Sequence, residues 1–596
     1  MAKSSASDLL LLFLLIGIST FPGSATAMFS GGYRYSIGDH VPLYVNKVGP
    51  TKNPSETYQY YDLPFCRPEK MTRKFEWLGE VLNGDRLMDS LYRLNFREEK
   101  KDVALCKKIL SIKEVESFRD AVKRDYYYQM CYDDLPVWGY IGRVSKSEMI
   151  IDEASREPHY LLFTHITFNV LYNQDQVIEV RVFSDPDRVV DITDEFKREV
   201  EFTYSVKWEP TSLSFTERMN RYWRDIQWLG NKDTHIPYLI NSAVSIAFLM
   251  FALGTVLIRA VKTDINRHTA IGEEDEEESG WKRISADVFR FPQHKASFCA
   301  LVGTGTQLLT MVFIVIILAF VGVYHPYSRG TLFTSLLVGF ALTSAVAGYT
   351  SCSLYIQLEG SRLRDVLLTW FLFTSPVFAT HAVLNMISAA SNATSALPFG
   401  TIAVIILIWA LITTPLLGLG YVFGKVLNPK FEPPCSTNKI PRPIPKIAWY
   451  RSTFFQFIGT GFLPLSAASI VLPTIIQSIW GLKSLPVYGE LFIMFVILAV
   501  ISAFLSIVCT YFQLCGEDHD WWWRSVICGG SPAVFMFIYC CCYYFIGTDM
   551  SGLLQGSIYM GYTACACYAL FLMLGTLSFR STLCFVRYIY SASKCD

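Results

Sequence analysis

Hydrophobic and polar positions follow one pattern up to about His235 and another after it. Before that point the apolar runs are short and broken by charge. "HYLLFTHITFNVLY", "DQVIEVRVFSD" and "EFTYSVKWEP" are rich in β-branched and aromatic residues and predict strands. "KEVESFRDAVKRDYYYQM" sets Val115, Phe118, Val122 and Tyr126 near helical spacing and predicts a helix. After His235, apolar runs of about 20 residues recur, each able to cross about 30 Å of hydrocarbon. Nine such runs stand at about 237–258, 299–323, 331–356, 366–387, 398–424, 453–479, 490–514, 524–547 and 553–579. Helices satisfy every backbone group within such a run. The expected fold is therefore a membrane protein: a mixed β/α, β-rich domain over 28–235, then a nine-helix transmembrane bundle over 236–580 and a tail over 581–596.

Composition supports that division. Hydrophobic residues make up 52% of the chain and charged residues 17%, where soluble chains average about 25% charged. Lys+Arg and Asp+Glu balance at 52 each, so nothing in the net charge points to nucleic acid. The first residues read as a secretory signal over 1–27, with Lys3, an apolar Leu9–Ile18 and a small-residue cleavage site, Ala25-Thr26-Ala27, that makes Met28 the expected mature start. The odd-numbered loops and the tail hold 19 Lys and Arg, while the even loops hold only Arg329 and Lys483. By the positive-inside rule the N-terminal domain is lumenal and the C-terminus cytosolic, as the signal also implies.

Candidate chemistry is sparse. The span interiors contain no Asp, Glu, Lys or Arg, which argues against an ion-coupled pump. His381 is their one titratable histidine, read as a packed neutral ring ahead of a proton relay. Cys540, Cys541 and Cys542 point in different directions on a helix and lack zinc-site spacing. No nucleotide loop, nucleophile elbow or metal-protease helix is present, so neither an enzyme nor a bound cofactor or metal is expected. The N-terminal domain has Cys66, Cys106 and Cys131; an oxidising lumen favours pairing, and Cys66–Cys106 is the expected bridge. Asn392-Ala393-Thr394 is an N-glycosylation pattern in loop four, on the lumenal side. Gly420 and Gly424 share a helix face, suited to packing inside the bundle or to docking a helix of another protein. The tryptophans Trp521, Trp522 and Trp523 suit a membrane interface, and "IPRPIPKIAWY" an extended strap.

Several long motifs stand in a fixed order: "GDHVPLYVNKVGPTKNPSETYQYYDLPFC", "DDLPVWGYIG", "GWKRISADVFRFP", "IPRPIPKIAWY", "GFLPLSAASI", "EDHDWWWRS" and "LMLGTLSF". Together they resemble the nonaspanins, the transmembrane-nine superfamily, and "YVNKVGP" resembles its member-one-like branch. Gly280, Trp281, Lys282, Asp287, Phe289, Arg290, Trp521, Trp522, Trp523 and Arg524 carry two of these motifs. The resemblance implies a Golgi and endosomal membrane protein that helps sort or escort client membrane proteins, including those with glycine-rich spans. It also implies that Lys594 and Asp596 form a Lys-x-Asp ending read by coatomer for Golgi retention. A rival reading is a transporter or channel for a small solute or lipid. Two departures stand out: Val471, Leu472 and Pro473 occupy the place of the family's usual sixth-span acid, and His519-Asp520 replaces its usual Tyr-Arg.

Overall fold

The computed structural model describes residues 33–145, 158–215, 218, 235–270, 280–324, 330–360, 363–427, 433–438, 440–445, 448–480 and 488–592. Ala27, Met28, Lys594, Asp596 and the acidic run Glu273–Ser279 lie outside the described residues. The chain forms two compact units. One comprises residues 1–226 with Tyr324–Thr334 and Ser388–Pro398; the other holds the remainder. Two segments that the sequence assigns to bundle loops, with the first four residues of the third predicted run and the first of the fifth, thus fold with the N-terminal unit.

The N-terminal unit is built on small sheets. In the first, β2 (Leu43–Pro50) pairs with β3 (Tyr58–Gln59), β4 (Met88–Asp89) and β7 (Tyr126–Tyr132), and β7 with β8 (Leu135–Tyr140), all antiparallel. The second runs β12 (Gln176–Ser184), β11 (His165–Asn173), β14 (Arg198–Pro210), β6 (Lys100–Leu110), with β11 and β14 parallel. β9 (Gly142–Ser145), β10 (His159–Phe163) and β13 (Val189–Asp191) form a third, and β1 (His40–Val41) pairs with β5 (Leu94–Asn95). The three stretches predicted as strands are β10 with β11, β12 and β14. α1 is a single short turn, Leu78–Leu82.

The predicted helix is α2, Ile112–Lys123, which buries Val115, Phe118, Ala121 and Val122. Its last predicted position, Tyr126, instead opens β7. Asp125, at φ 51°, takes the left-handed conformation that ends a helix and turns the chain. Phe65, Phe118 and Phe202 pack edge to face between helix and sheet. Cys66 and Cys106 are disulfide-bonded, with Cα atoms 6.0 Å apart, and Cys131 is buried outside that bridge.

The second unit is helical. Its elements are α3 (His235–Ala270), α4 (Lys295–Phe320), α5 (Thr331–Gln357, whose first turn belongs to the N-terminal unit), α6 (Arg364–Leu372), α7 (Thr374–Ala390), α8 (Phe399–Ile408), α9 (Thr414–Leu427), α10 (Thr453–Ala468), α11 (Leu472–Trp480), α12 (Tyr488–Cys515), α13 (Trp521–Gly547) and α14 (Leu553–Ala592). A π-turn at Trp409–Thr413 joins α8 to α9. Among the described residues, eight helical stretches are long and apolar enough to cross a membrane. The sixth predicted run is not one continuous helix. It breaks into α10 and α11 at Ser469–Val471, where Pro473 lacks the N–H that would bond back to Ser469 and its ring crowds that carbonyl.

Candidate functional site

The motif residues, scattered over 245 positions of sequence from Gly280 to Arg524, converge where α4 and α13 begin and α12 ends. Gly280 opens a second strap, Gly280–Pro292, at φ 76°, a left-handed conformation that glycine adopts without steric cost. Trp281 then packs edge to face on Tyr590 of α14 at 5.4 Å, and Tyr590 Oη donates to the Trp281 carbonyl at 2.6 Å. Lys282 sits over the Trp281 ring. Phe289 is buried and also packs edge to face with Tyr590, at 5.9 Å. Asp287, 1% exposed, pairs with Arg290 at 2.7 Å, and Arg290 also donates to the Asn438 carbonyl at 2.9 Å.

The described residues 433–438 and 440–445 of the proline-rich segment carry no helix or strand and tie back to the same strap. Asn438 N–H donates to Ala286 O at 3.0 Å, and the Arg442 guanidinium to Arg283 O at 2.7 Å. Arg283 in turn pairs with Glu517 at 3.3 Å. Arg524 closes the opposite side on buried Asp518 at 3.0 Å.

The tryptophan triplet departs from the interfacial expectation. Trp521 is 0% and Trp522 2% exposed, and both lie in the core of this cluster. Consecutive helical residues point about 100° apart, so three of them cannot face one lipid surface. They fan out instead. Trp521 Nε1 donates to Val288 O at 2.9 Å, Trp523 Nε1 donates to Gln293 O at 2.8 Å, and Trp522 packs on Phe298. The triplet clamps the Gly280–Pro292 strap and the start of α4.

The remaining sequence candidates stand apart from this cluster. Gly420 and Gly424 are buried against α5: a Cβ on Gly420 would fall 2.0 Å from Ala345 O, and one on Gly424 3.0 Å from Tyr349 O. That face is filled inside the bundle, which is the packing alternative and corrects the docking one. His381 Nδ1 lies 3.4 Å from Tyr562 Oη, and the described residues hold no group of three or more His, Cys, Asp or Glu side chains placed to bind a metal. Cys540 is buried, Cys541 touches Met560 Sδ at 3.6 Å, and Cys542 is exposed, so the three diverge. Gln307 donates to Phe340 O and Gln477 to Tyr543 Oη, bonds between helices. Within the N-terminal unit, Asn392 is exposed at φ 54°, while Thr394 is buried with its hydroxyl 2.6 Å from that of Thr57.

Sequence reasoning missed Asp365. It lies one residue before the fourth predicted run, yet it is 0% exposed in the first turn of α6 and forms no ion pair among the described residues. Its signal was present in "LEGSRLRD", whose four charges mark a loop, but only packing turns one of them inward.

Comparison with known proteins bears on these features. The endomembrane protein 70 family model matches residues 57–553. Transmembrane 9 superfamily member 3 of Arabidopsis thaliana is 50% identical over 98% of this chain and 99% of its own length. Member 2 of the same plant is 49% identical over 98% and 99%. Member 1 of Bos taurus is 38% identical over 99% and 97%. No solved structure matches.

Proposed function

This chain belongs to the transmembrane 9 superfamily, the endomembrane protein 70 family of multi-pass membrane proteins, and on that premise we propose that it is a non-enzymatic Golgi and endosomal protein that assists the sorting or surface delivery of other membrane proteins. The observation that carries this reading is the clamp at one end of the helical unit. It gathers the basic segments of loops one and five with the motif strap and the last turns of α14. Positive charge concentrated on these segments supports a cytosolic face. Tyr590, bonded to Trp281, stands two residues before the end of α14, so the tail begins beside the clamp.

A tail starting there offers the Lys594 ammonium and the Asp596 carboxylate two residues apart. An acidic and a basic pocket on coatomer would read them through charge-assisted hydrogen bonds. Clients would engage lipid-facing helix surfaces rather than the filled Gly420 face. The test is localisation, by antibody, of the untagged protein with Lys594→Ser and Asp596→Ala beside wild type. Redistribution of the variants from Golgi to later compartments or the cell surface is expected. Retention of both variants in the Golgi would remove the tail from the reading.

A further inference from the structure

Residues Arg73–Trp77 form an extended ribbon in the N-terminal unit. Arg73 bridges to Met88, Lys74 N–H donates to Leu87 O at 3.1 Å, and Leu87 N–H donates to the Glu76 carboxylate at 2.5 Å. In extended chain, successive side chains alternate between faces. Glu76 is turned inward, so Arg73, Phe75 and Trp77 share the outer face, with Met71 in step before them. Met71 is 52%, Phe75 77% and Trp77 71% exposed. The two rings meet edge to face at 5.6 Å. The main chain at Trp77 is held because its backbone N–H donates to the Glu80 carboxylate at 2.9 Å.

The residues that follow indicate what covers this face. Gly79 lies against the backbone of Gly330 and the side chain of Thr334, in the same unit. A Cβ on Gly79 would fall 2.1 Å from Gly330 O, and one on Gly330, at φ 74°, would fall 2.0 Å from Gly79 C. Only glycine at both positions permits the contact. Thr331 is the first residue of α5, one of the helices long and apolar enough to cross a bilayer. Trp77 stands two residues along the chain from Gly79, which touches Gly330, the residue before that helix. The end of such a helix is the depth at which tryptophan is enriched, with its apolar body in acyl chains and its N–H among headgroups. Lys70 and Arg73 are exposed on the same segment and complement anionic lipid phosphates.

We propose that Met71, Phe75 and Trp77 form a leaflet anchor, set into the headgroup–acyl boundary of the bilayer at the end where α5 begins, with Lys70 and Arg73 on lipid phosphates. The proposal needs α5 to cross a membrane and does not depend on the sorting reading. It is tested on the full-length protein in nanodiscs of phosphatidylcholine and phosphatidylserine. A benzophenone amino acid replaces Phe75 or Trp77 in turn. Ile109 and Phe196, each 67% exposed in the same unit, serve as control positions. Retention of the Cys66–Cys106 disulfide and of the wild-type melting temperature checks the fold of each variant. After irradiation, phospholipid adducts at positions 75 and 77 are expected at several times the level at 109 and 196. Adducts to protein at 75 and 77, or lipid adducts no more frequent than at the control positions, would overturn it.

Discussion

Glu114 shows how much one side chain does outside the membrane. Its carboxylate accepts from Lys108 at 2.7 Å and from the Ser111 N–H and hydroxyl at 2.9 Å each. Lys108 first, then the Ser111 donors, hold its carboxyl down to about 2. A carboxyl lowered on folding adds stability that is complete above its unfolded value and is lost as pH falls from there through about 2. Because the side chain is 31% exposed, the contribution is about 1 kcal/mol rather than the full shift. Glu114→Gln is therefore expected to lower hydrogen-exchange protection of α2 at pH 7, with wild type and variant converging near pH 2. A constant gap across that range would refute the assignment. The Ser-x-x-Glu spacing is visible in the sequence. The roles of Trp521 and Trp522 are not, because their partners Val288 and Phe298 lie more than 200 residues away.

Among the elements, the contact of α9 with α5 rests on glycine. Gly420 has Ala345 O at 2.0 Å from a built Cβ, whereas Gly418, two residues earlier on the same helix, has nothing within 4 Å. Gly420→Val must push the helices apart, at about 1–3 kcal/mol for overpacking. Gly418→Val meets only open space. Melting of the purified protein should show a lowered midpoint for the first and a change within error for the second; equal effects would mean that the close approach is not what matters. The length of the apolar runs predicted these helices because a bilayer demands length and apolarity of each one separately. It missed the breaks. Pro473 divides the sixth run, and α6 stops at Leu372 before α7 resumes at Thr374, because local backbone geometry breaks a helix without lowering its hydropathy.

At the scale of the whole molecule, Tyr324–Thr334 and Ser388–Pro398 fold with the N-terminal unit rather than with the helices that flank them. The Arg86 guanidinium donates to Ala396 O at 2.8 Å, and Thr394 N–H to Thr57 O at 2.8 Å. The second bond belongs to the pair that buries the Thr394 hydroxyl, which the glycosylation pattern requires. Modification of Asn392 then competes with docking of this segment. Thr57→Val should raise glycan occupancy at Asn392, read as a glycosidase-sensitive gel shift that Asn392→Gln abolishes. Unchanged occupancy in Thr57→Val would separate docking from modification.

Sequence by itself determined the class of the protein: a β-rich domain followed by apolar helices, with family motifs in order along nearly the whole chain. These properties are local, set by side-chain period and by the length needed to cross hydrocarbon. Tertiary structure decided which residues meet. It gathered Trp281, Asp287 and Trp521 into one clamp, turned Asp365 inward, closed the Gly420 face and left Phe75 and Trp77 uncovered. No period or spacing encodes those outcomes, because each depends on backbones brought together across hundreds of residues.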